Sequence, residues 1–198
     1  MVREFAGKME RAISGAENIV IVGHFNPDGD SVGSVTGMYY YLKELGKKAV
    51  VVLPSSYPEY LSFLDKDRDY LIFTKNPEKV AQAIEESDLI IGLDFNNLGR
   101  TEGVKNLFAA SSAQKILIDH HPNPERSSFD LICSTVDTSS TCELLFYILM
   151  ETALVDNDIE KMPYRSAEGL ATGMLTDTNN FKNSSIALFR CVLRLYRS

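Results

Sequence analysis

Four short apolar runs constrain this chain more than any other feature: Asn18-Ile19-Val20-Ile21-Val22-Gly23, Ala49-Val50-Val51-Val52-Leu53, Asp88-Leu89-Ile90-Ile91-Gly92-Leu93-Asp94 and Lys115-Ile116-Leu117-Ile118-Asp119. Such runs show no polar alternation, as expected of strands covered on both faces. Leu71-Ile72-Phe73 reads as a shorter third strand in chain order and Leu131 to Val136 as a last one. The intervening segments have helical spacing. Ser31 to Leu45 puts Val32, Val35, Met38, Tyr39 and Leu42 on one side and stops at Gly46. Pro77 to Glu86 is a short predicted helix with its proline early, where a missing N–H costs little. Ser140-Thr141-Cys142-Glu143 has capping-box spacing ahead of a helix through about Leu154. Ser166 to Leu175 predicts another helix, and Ile186 to Tyr196 is helix-compatible. Strands alternating with helices imply right-handed crossovers, hence an α/β fold whose mainly parallel sheet has helices on both faces.

Ligands of such sheets bind beyond the carboxyl ends of the strands. Three of the runs end in His24 with Asp28 and Asp30, in Asp94, and in Asp119-His120-His121, and these segments hold all three histidines of the chain. The helix over 166–175 delivers Asp177 in Thr176-Asp177-Thr178-Asn179-Asn180-Phe181. Each residue has a plainer role when taken alone. Asp28, Asp30 and Ser31 suit a helix cap, Asp94 a strand end, and Asp177 a turn. Together, His24, Asp28, Asp30, Asp94, His120 and Asp177 make two imidazoles and four carboxylates. That donor set suits Mn²⁺ or Mg²⁺, less often Zn²⁺ or Fe²⁺. Four clustered carboxylates repel one another at neutral pH, and two divalent ions would cancel their charge. An ion pair about 3.5–4 Å apart is a common device for in-line displacement at phosphorus.

Composition narrows the alternatives. A formal net charge of −7 argues against coating long duplex nucleic acid, which clustered Lys and Arg normally meet. No apolar run approaches the roughly 20 residues needed to span a bilayer, and Met1-Val2-Arg3-Glu4-Phe5 lacks a signal-peptide core, so a cytoplasmic location is expected. Cys133, Cys142 and Cys191 are odd in number and lack a CxxC pair, which predicts reduced, buried thiols.

These motifs resemble those of the DHH family of phosphoesterases, named for the triplet seen here as Asp119-His120-His121. The first family motif is similar to His24-Phe25-Asn26-Pro27-Asp28-Gly29-Asp30-Ser31, the second to Gly92-Leu93-Asp94, and the fourth to Thr172-Gly173-Met174-Leu175-Thr176-Asp177-Thr178. The pattern, over about residues 18 to 181, most resembles the exopolyphosphatase-related branch that degrades very short RNAs and dephosphorylates 3′-phosphoadenosine 5′-phosphate (pAp). The resemblance implies a Rossmann-like domain and hydrolysis through a two-metal-activated hydroxide. It implies that His24 and Asp28 hold one Mn²⁺, that Asp30, His120 and Asp177 hold a second, and that Asp94 bridges them, with Mg²⁺ as the substitute. Asp119 would orient a histidine. His121 would contact the scissile phosphate or serve as general acid. Arg100 would reach the same phosphate. The implied partner is a small phosphorylated nucleotide or short single-stranded RNA, and a homodimer is left open.

Two departures accompany the matches. Asn179-Asn180 stands where many members have a glycine-containing turn, and the family's Gly-Gly-Gly-His segment does not occur. The expectation is therefore one domain over 1–198 without a C-terminal substrate-binding domain, binding metal but turning over substrate weakly. Two other readings stay open, a manganese-dependent inorganic pyrophosphatase and a catalytically impaired metal- or nucleotide-binding fragment.

Overall fold

The computed structural model describes residues 2–67, 69–178 and 186–196; the Asn179-Asn180-Phe181 segment lies outside them. Six strands form one sheet: β1 (Asn18–Val22), β2 (Lys48–Leu53), β3 (Leu71–Ile72), β4 (Leu89–Leu93), β5 (Gln114–Asp119) and β6 (Leu131–Ser134). Their order is β3-β2-β1-β4-β5-β6, and every described pairing is parallel. The order reverses between β1 and β4, so the crevice of a doubly wound sheet opens above their carboxyl ends.

The helices are α1 (Val2–Gly15), α2 (Gly29–Glu44), α3 (Pro77–Glu85), α4 (Lys105–Ala110), α5 (Thr141–Met150), α6 (Tyr164–Asp177) and α7 (Ile186–Tyr196). They cover both sheet faces, which accounts for the uninterrupted apolar runs. Ile19 and Ile21 point into one core, with Met9, Val35, Met38, Leu145 and Leu170, whereas Val20 and Val22 enter a second with Val80, Ile84 and Phe108. Successive strand residues serve opposite faces, so both parities must be apolar.

Two boundaries and one helix differ from the sequence expectation. The helix beginning at Thr141 ends at Met150 rather than near Leu154. Glu151 and Thr152 bond back three residues rather than four, and the Met150 carbonyl accepts from the N–H of Asn157 at 2.7 Å, which closes a turn; Asp156 and Asn157 in that turn adopt φ of 51° and 58°. The last strand stops at Ser134, leaving Val136 exposed. The N-terminal helix α1 was absent from the sequence expectation; it buries Phe5, Ala6, Met9 and Ile13 at helical spacing.

Helices α2 and α6 cross with almost no side chain between them. A Cβ on Gly33 would lie 2.5 Å from the Gly169 carbonyl oxygen and 2.9 Å from the Gly173 nitrogen. One on Gly169 would lie 2.8 Å from the Gly33 oxygen, and one on Gly29 would overlap the Thr176 side chain. Glycine is required here by space rather than by backbone angle. The crossing sets the first turn of α2, with Asp30, beside the last turn of α6, with Asp177.

Gly33→Ala is therefore expected to lower unfolding free energy by about 1–3 kcal/mol, because backbone rather than a pliable side chain must yield. Gly15→Ala, with nothing within 4 Å of the added carbon, serves as control and should be neutral or slightly stabilising. Urea midpoints of the two variants test this, and equal midpoints would contradict the steric account.

Candidate metal centre

The loop after β1 is shaped by its own side chains. His24 follows Val22 and Gly23 out of the sheet, and its backbone N–H donates to Ser31 Oγ at 3.2 Å. Asp28 caps α2, its Oδ1 accepting from the N–H groups of Asp30 and Ser31 at 3.0 and 3.1 Å. The cap reading of Asp28 is thus true, and it coexists with a position beside the imidazole: His24 Nε2 stands 3.8 Å from Asp28 Oδ1 and 3.4 Å from Asp94 Oδ2. The other ring nitrogen of His24, Nδ1, lies 2.8 Å from the Phe25 carbonyl and must carry the proton to bond it. Its Nε2 is then left with a lone pair, buried and without a hydrogen-bond partner. A buried nitrogen in that state calls for a cation or proton.

Asp94 leaves β4 at φ 68°, a left-handed conformation that aspartate tolerates better than most residues. Its two oxygens face different histidines. Oδ2 faces His24, and Oδ1 lies 3.7 Å from His120 Nε2 while accepting from Thr141 Oγ1 at 3.0 Å. His120 Nε2 is also 3.8 Å from Asp30 Oδ2 and 3.8 Å from Asp177 Oδ2. Ligand atoms about 2.1 Å from one ion stand about 3 Å apart at a right angle and about 3.4 Å apart at the tetrahedral angle. Separations of 3.4–3.8 Å are too long for hydrogen bonds and close to those spacings. Two groups could each hold an ion: His24 with Asp28 and Asp94, and Asp30 with His120 and Asp177.

A third grouping, Asp94 with His120 and His121, fits less well. His121 has both ring nitrogens engaged: Nδ1 bonds the buried Asp119 at 2.8 Å and Nε2 lies 2.9 Å from Arg100 Nη1. Arginine can only donate, so Nε2 accepts and Nδ1 carries the proton. Asp119 also accepts from the His121 backbone N–H at 3.1 Å, which fixes the turn as well as the ring.

All the residues singled out in the sequence therefore meet at one edge of the sheet. Sequence reasoning missed their supports. Asp30 is buried and accepts from the first amides of α5, Thr141 N–H at 2.6 Å and Cys142 N–H at 2.8 Å, so the positive end of that helix faces its charge. Cys142, expected as a buried filler, also brings its Sγ to 3.5 Å from the Asp30 carbonyl. The capping box was the available signal: Ser140 Oγ accepts from Glu143 N–H at 3.0 Å, marking where the donors of α5 would be. Nothing local said that they would meet Asp30, 112 residues away from Cys142.

Mutual repulsion shows in the protonation equilibria. Burial, then the field of Asp94, pushes the Asp30 carboxyl up to about 8. Burial, then Asp30 and Asp28, pushes Asp177 up to about 7, and burial raises Asp94 as well. For His24, burial is the largest influence and favours the neutral ring, but Asp28, Asp94 and the Phe25 carbonyl together outweigh it, raising the value to about 10. Burial also opposes ionisation of Asp28, yet the His24 contact and two backbone amides bring it down to about 2. His121 is raised chiefly by Asp119. A site that gathers protons this strongly has the donor chemistry of a cation site.

A doubly wound sheet bearing two carboxylate–imidazole clusters side by side at its switch point, with Asp94 of one lying 3.7 Å from His120 of the other, defines an α/β domain with a candidate two-cation centre. The chain belongs to the DHH family: the model of "DHH family, N-terminal domain" matches residues 18–174. A bifunctional oligoribonuclease and PAP phosphatase, NrnA, from Thermus thermophilus is 32% identical over 165 residues, covering 83% of this chain and 44% of that protein. The protein of the same name from Bacillus subtilis is 27% identical over 172 residues, covering 86% and 49%. An exopolyphosphatase-related protein from Bacteroides fragilis superposes with a TM-score of 0.89 at 31% identity, over 98% of this chain and 56% of that one. RecJ from Thermus thermophilus, crystallised with Mn²⁺, shares the fold, with a TM-score of 0.59 at 17% identity over 99% of this chain and 26% of that one. The chain spans about half the length of the NrnA and exopolyphosphatase-related relatives.

The raised groups set a pH dependence. His24, Asp30 and Asp177 bind protons more tightly folded than unfolded, so their contribution is complete below their unfolded values and is lost as pH rises through about 10, 8 and 7. Asp28, lowered to about 2, acts oppositely and matters only in acid. In chelator, the melting temperature should fall between about pH 5 and pH 9, and saturating Mn²⁺ should flatten that slope by replacing the protons. A melting temperature that rises across this window in chelator would contradict the electrostatic account.

Proposed function

We propose that this domain is the metal-binding half of a phosphoesterase acting on pAp or very short oligoribonucleotides, with Mn²⁺ as its cation. The observation that carries the reading is Asp94, whose oxygens face His24 and His120 at 3.4 and 3.7 Å. His24, Asp28 and Asp94 would hold one ion, and Asp30, Asp94, His120 and Asp177 the other. When bound, such a pair supplies a nucleophile at neutral pH and stabilises charge on phosphoryl oxygens.

The chain's own residues provide the remainder. The α5 amides favour the ionised form of Asp30, against the burial and the Asp94 charge that raise it, and they hold its carboxyl beside His120. Asp119 holds the His121 Nδ1 proton, so that Nε2 faces the substrate side. Arg100 occupies that face in the free chain. An incoming phosphate would take over the arginine's donors; Nε2, released from Arg100, would then take up a proton from solvent, and the imidazolium, held by Asp119, would pass it to the leaving oxygen. The Asp119 contact raises the His121 ring above the usual histidine range, which favours that protonated form. The nucleotide class is supported by the two NrnA relatives, whose names give oligoribonuclease and PAP phosphatase activity. We further propose that a substrate-binding second domain completes the cleft in the active form, so that turnover by residues 1–198 alone is weak.

The test is a Mn²⁺-dependent panel of pAp, a diribonucleotide and pyrophosphate, run on this chain and on one extended past Ser198. Preference for pyrophosphate, or vigorous turnover by the short chain, would overturn the corresponding part. His121→Ala should lower kcat about 10²- to 10⁴-fold with metal binding kept. Asp94→Asn should weaken both ions together in a calorimetric titration, and loss of one ion alone would show that Asp94 does not bridge.

A further inference from the structure

The opposite end of the α2–α6 pair carries a feature unrelated to the metal centre. A groove of about 570 Å³ opens between the last turns of α2, the segment 160–163 and the first turn of α6, with Arg194 of α7 also lining it. Its volume lies within the range of about 300–1,000 Å³ typical of small-ligand sites. Thirteen residues of α2 separate Lys43 at this groove from Asp30 at the metal centre, about 20 Å at 1.5 Å per residue.

In a chain of net charge −7, four cations meet here, Lys43, Lys161, Arg165 and Arg194, against two carboxylates, Glu44 and Glu160. The four are held differently. Arg165 belongs to the wall, because it bonds the Phe63 and Leu64 carbonyls and Glu168 and stacks over the Tyr40 ring at 5.0 Å. Arg194 donates its Nε–H to the Met162 carbonyl at 3.0 Å, which sets the plane of the guanidinium at the groove. Lys43 Nζ stands over the rings of Tyr39 and Tyr40 at 5.2 and 5.7 Å. Lys161 meets Asp156 at 3.4 Å, a pair exposed on both sides and therefore easily exchanged for a stronger anion. Tyr164, 38% exposed, presents a ring to the same space.

We propose that this groove binds a nucleoside monophosphate. The phosphate is met by Lys43, Lys161 and Arg194, the base lies against Tyr164, and Glu44 and Glu160 accept from ribose hydroxyls. An aromatic wall beside cations suits a ligand with both a flat ring and an anion, rather than a bare anion. The two carboxylates favour one phosphate over a chain of them, since each added charge would meet their repulsion. The site is independent of the chemistry proposed for the metal centre.

The experiment is a calorimetric titration of the full chain with AMP in excess chelator, so that no metal-dependent binding contributes. A Kd below about 1 mM is expected, with inorganic phosphate and adenosine each at least about tenfold weaker. The double variant Lys43→Glu/Lys161→Glu, both at exposed positions, should weaken AMP about tenfold or more, and Tyr164→Ala several-fold. Asp94→Asn should leave AMP binding unchanged. The proposal is overturned if no heat appears up to about 10 mM AMP, if the charge reversals leave binding intact, or if Asp94→Asn abolishes it. Equal affinity for phosphate and AMP would also overturn it, by showing an anion site without a nucleoside pocket.

Discussion

The close crossing of α2 on α6 underlies both the fold and the site. Gly33, Gly169 and Gly173 let the two backbones approach to contact, and that approach decides where Asp30 and Asp177 stand relative to His120. A methyl group at Gly33 would force one backbone to shift, and a cation site built across that seam would be displaced with it. Gly173 also makes room for Cys142, so the same seam seats α5, whose first amides hold Asp30. Packing and coordination geometry are one constraint here.

The second organising force is repulsion among carboxylates that the fold keeps together. Asp30, Asp94 and Asp177 all have protonation equilibria displaced upward, and a buried His24 nitrogen has no hydrogen-bond partner. Left uncompensated, such a cluster works against the folded state, and the domain carries it because the surrounding sheet and the α2–α6 seam supply the stability. Asp94 concentrates this tension, being buried, left-handed in backbone, and shared between two imidazoles. Thr141 and the α5 dipole relieve part of it.

Much of the architecture was legible because parallel strands buried on both faces leave an unmistakable record. Ile19 to Val22 and Leu89 to Leu93 are apolar at every position because two cores claim alternate residues. The helix over Gly29–Glu44 announced itself through Val32, Val35, Met38 and Leu42. Other elements were less visible. The α5 helix ends early because the chain turns after Met150: Glu151 and Thr152 bond back three residues, and the Met150 carbonyl accepts from the N–H of Asn157 at 2.7 Å. Helix α1 carries a clear apolar stripe, which a reading centred on strand ends passed over. The glycines of the α2–α6 seam were in plain sight at four-residue spacing, but their meaning depends on a partner helix far along the chain.

The sequence by itself determined the alternation of strands and helices, and with it the edge at which His24, Asp94 and His120 would emerge, because side-chain periodicity and strand direction are local properties. It also determined the ligand chemistry, since imidazoles and carboxylates are what the residues are. Only the tertiary structure decided the pairing within that edge. Asp94 divides its oxygens between His24 and His120, α5 turns its amides on Asp30, and Asp119 with Arg100 takes both nitrogens of His121, leaving neither free for a cation. Those contacts join residues tens of positions apart, and their distances follow from helix packing rather than from any spacing along the chain.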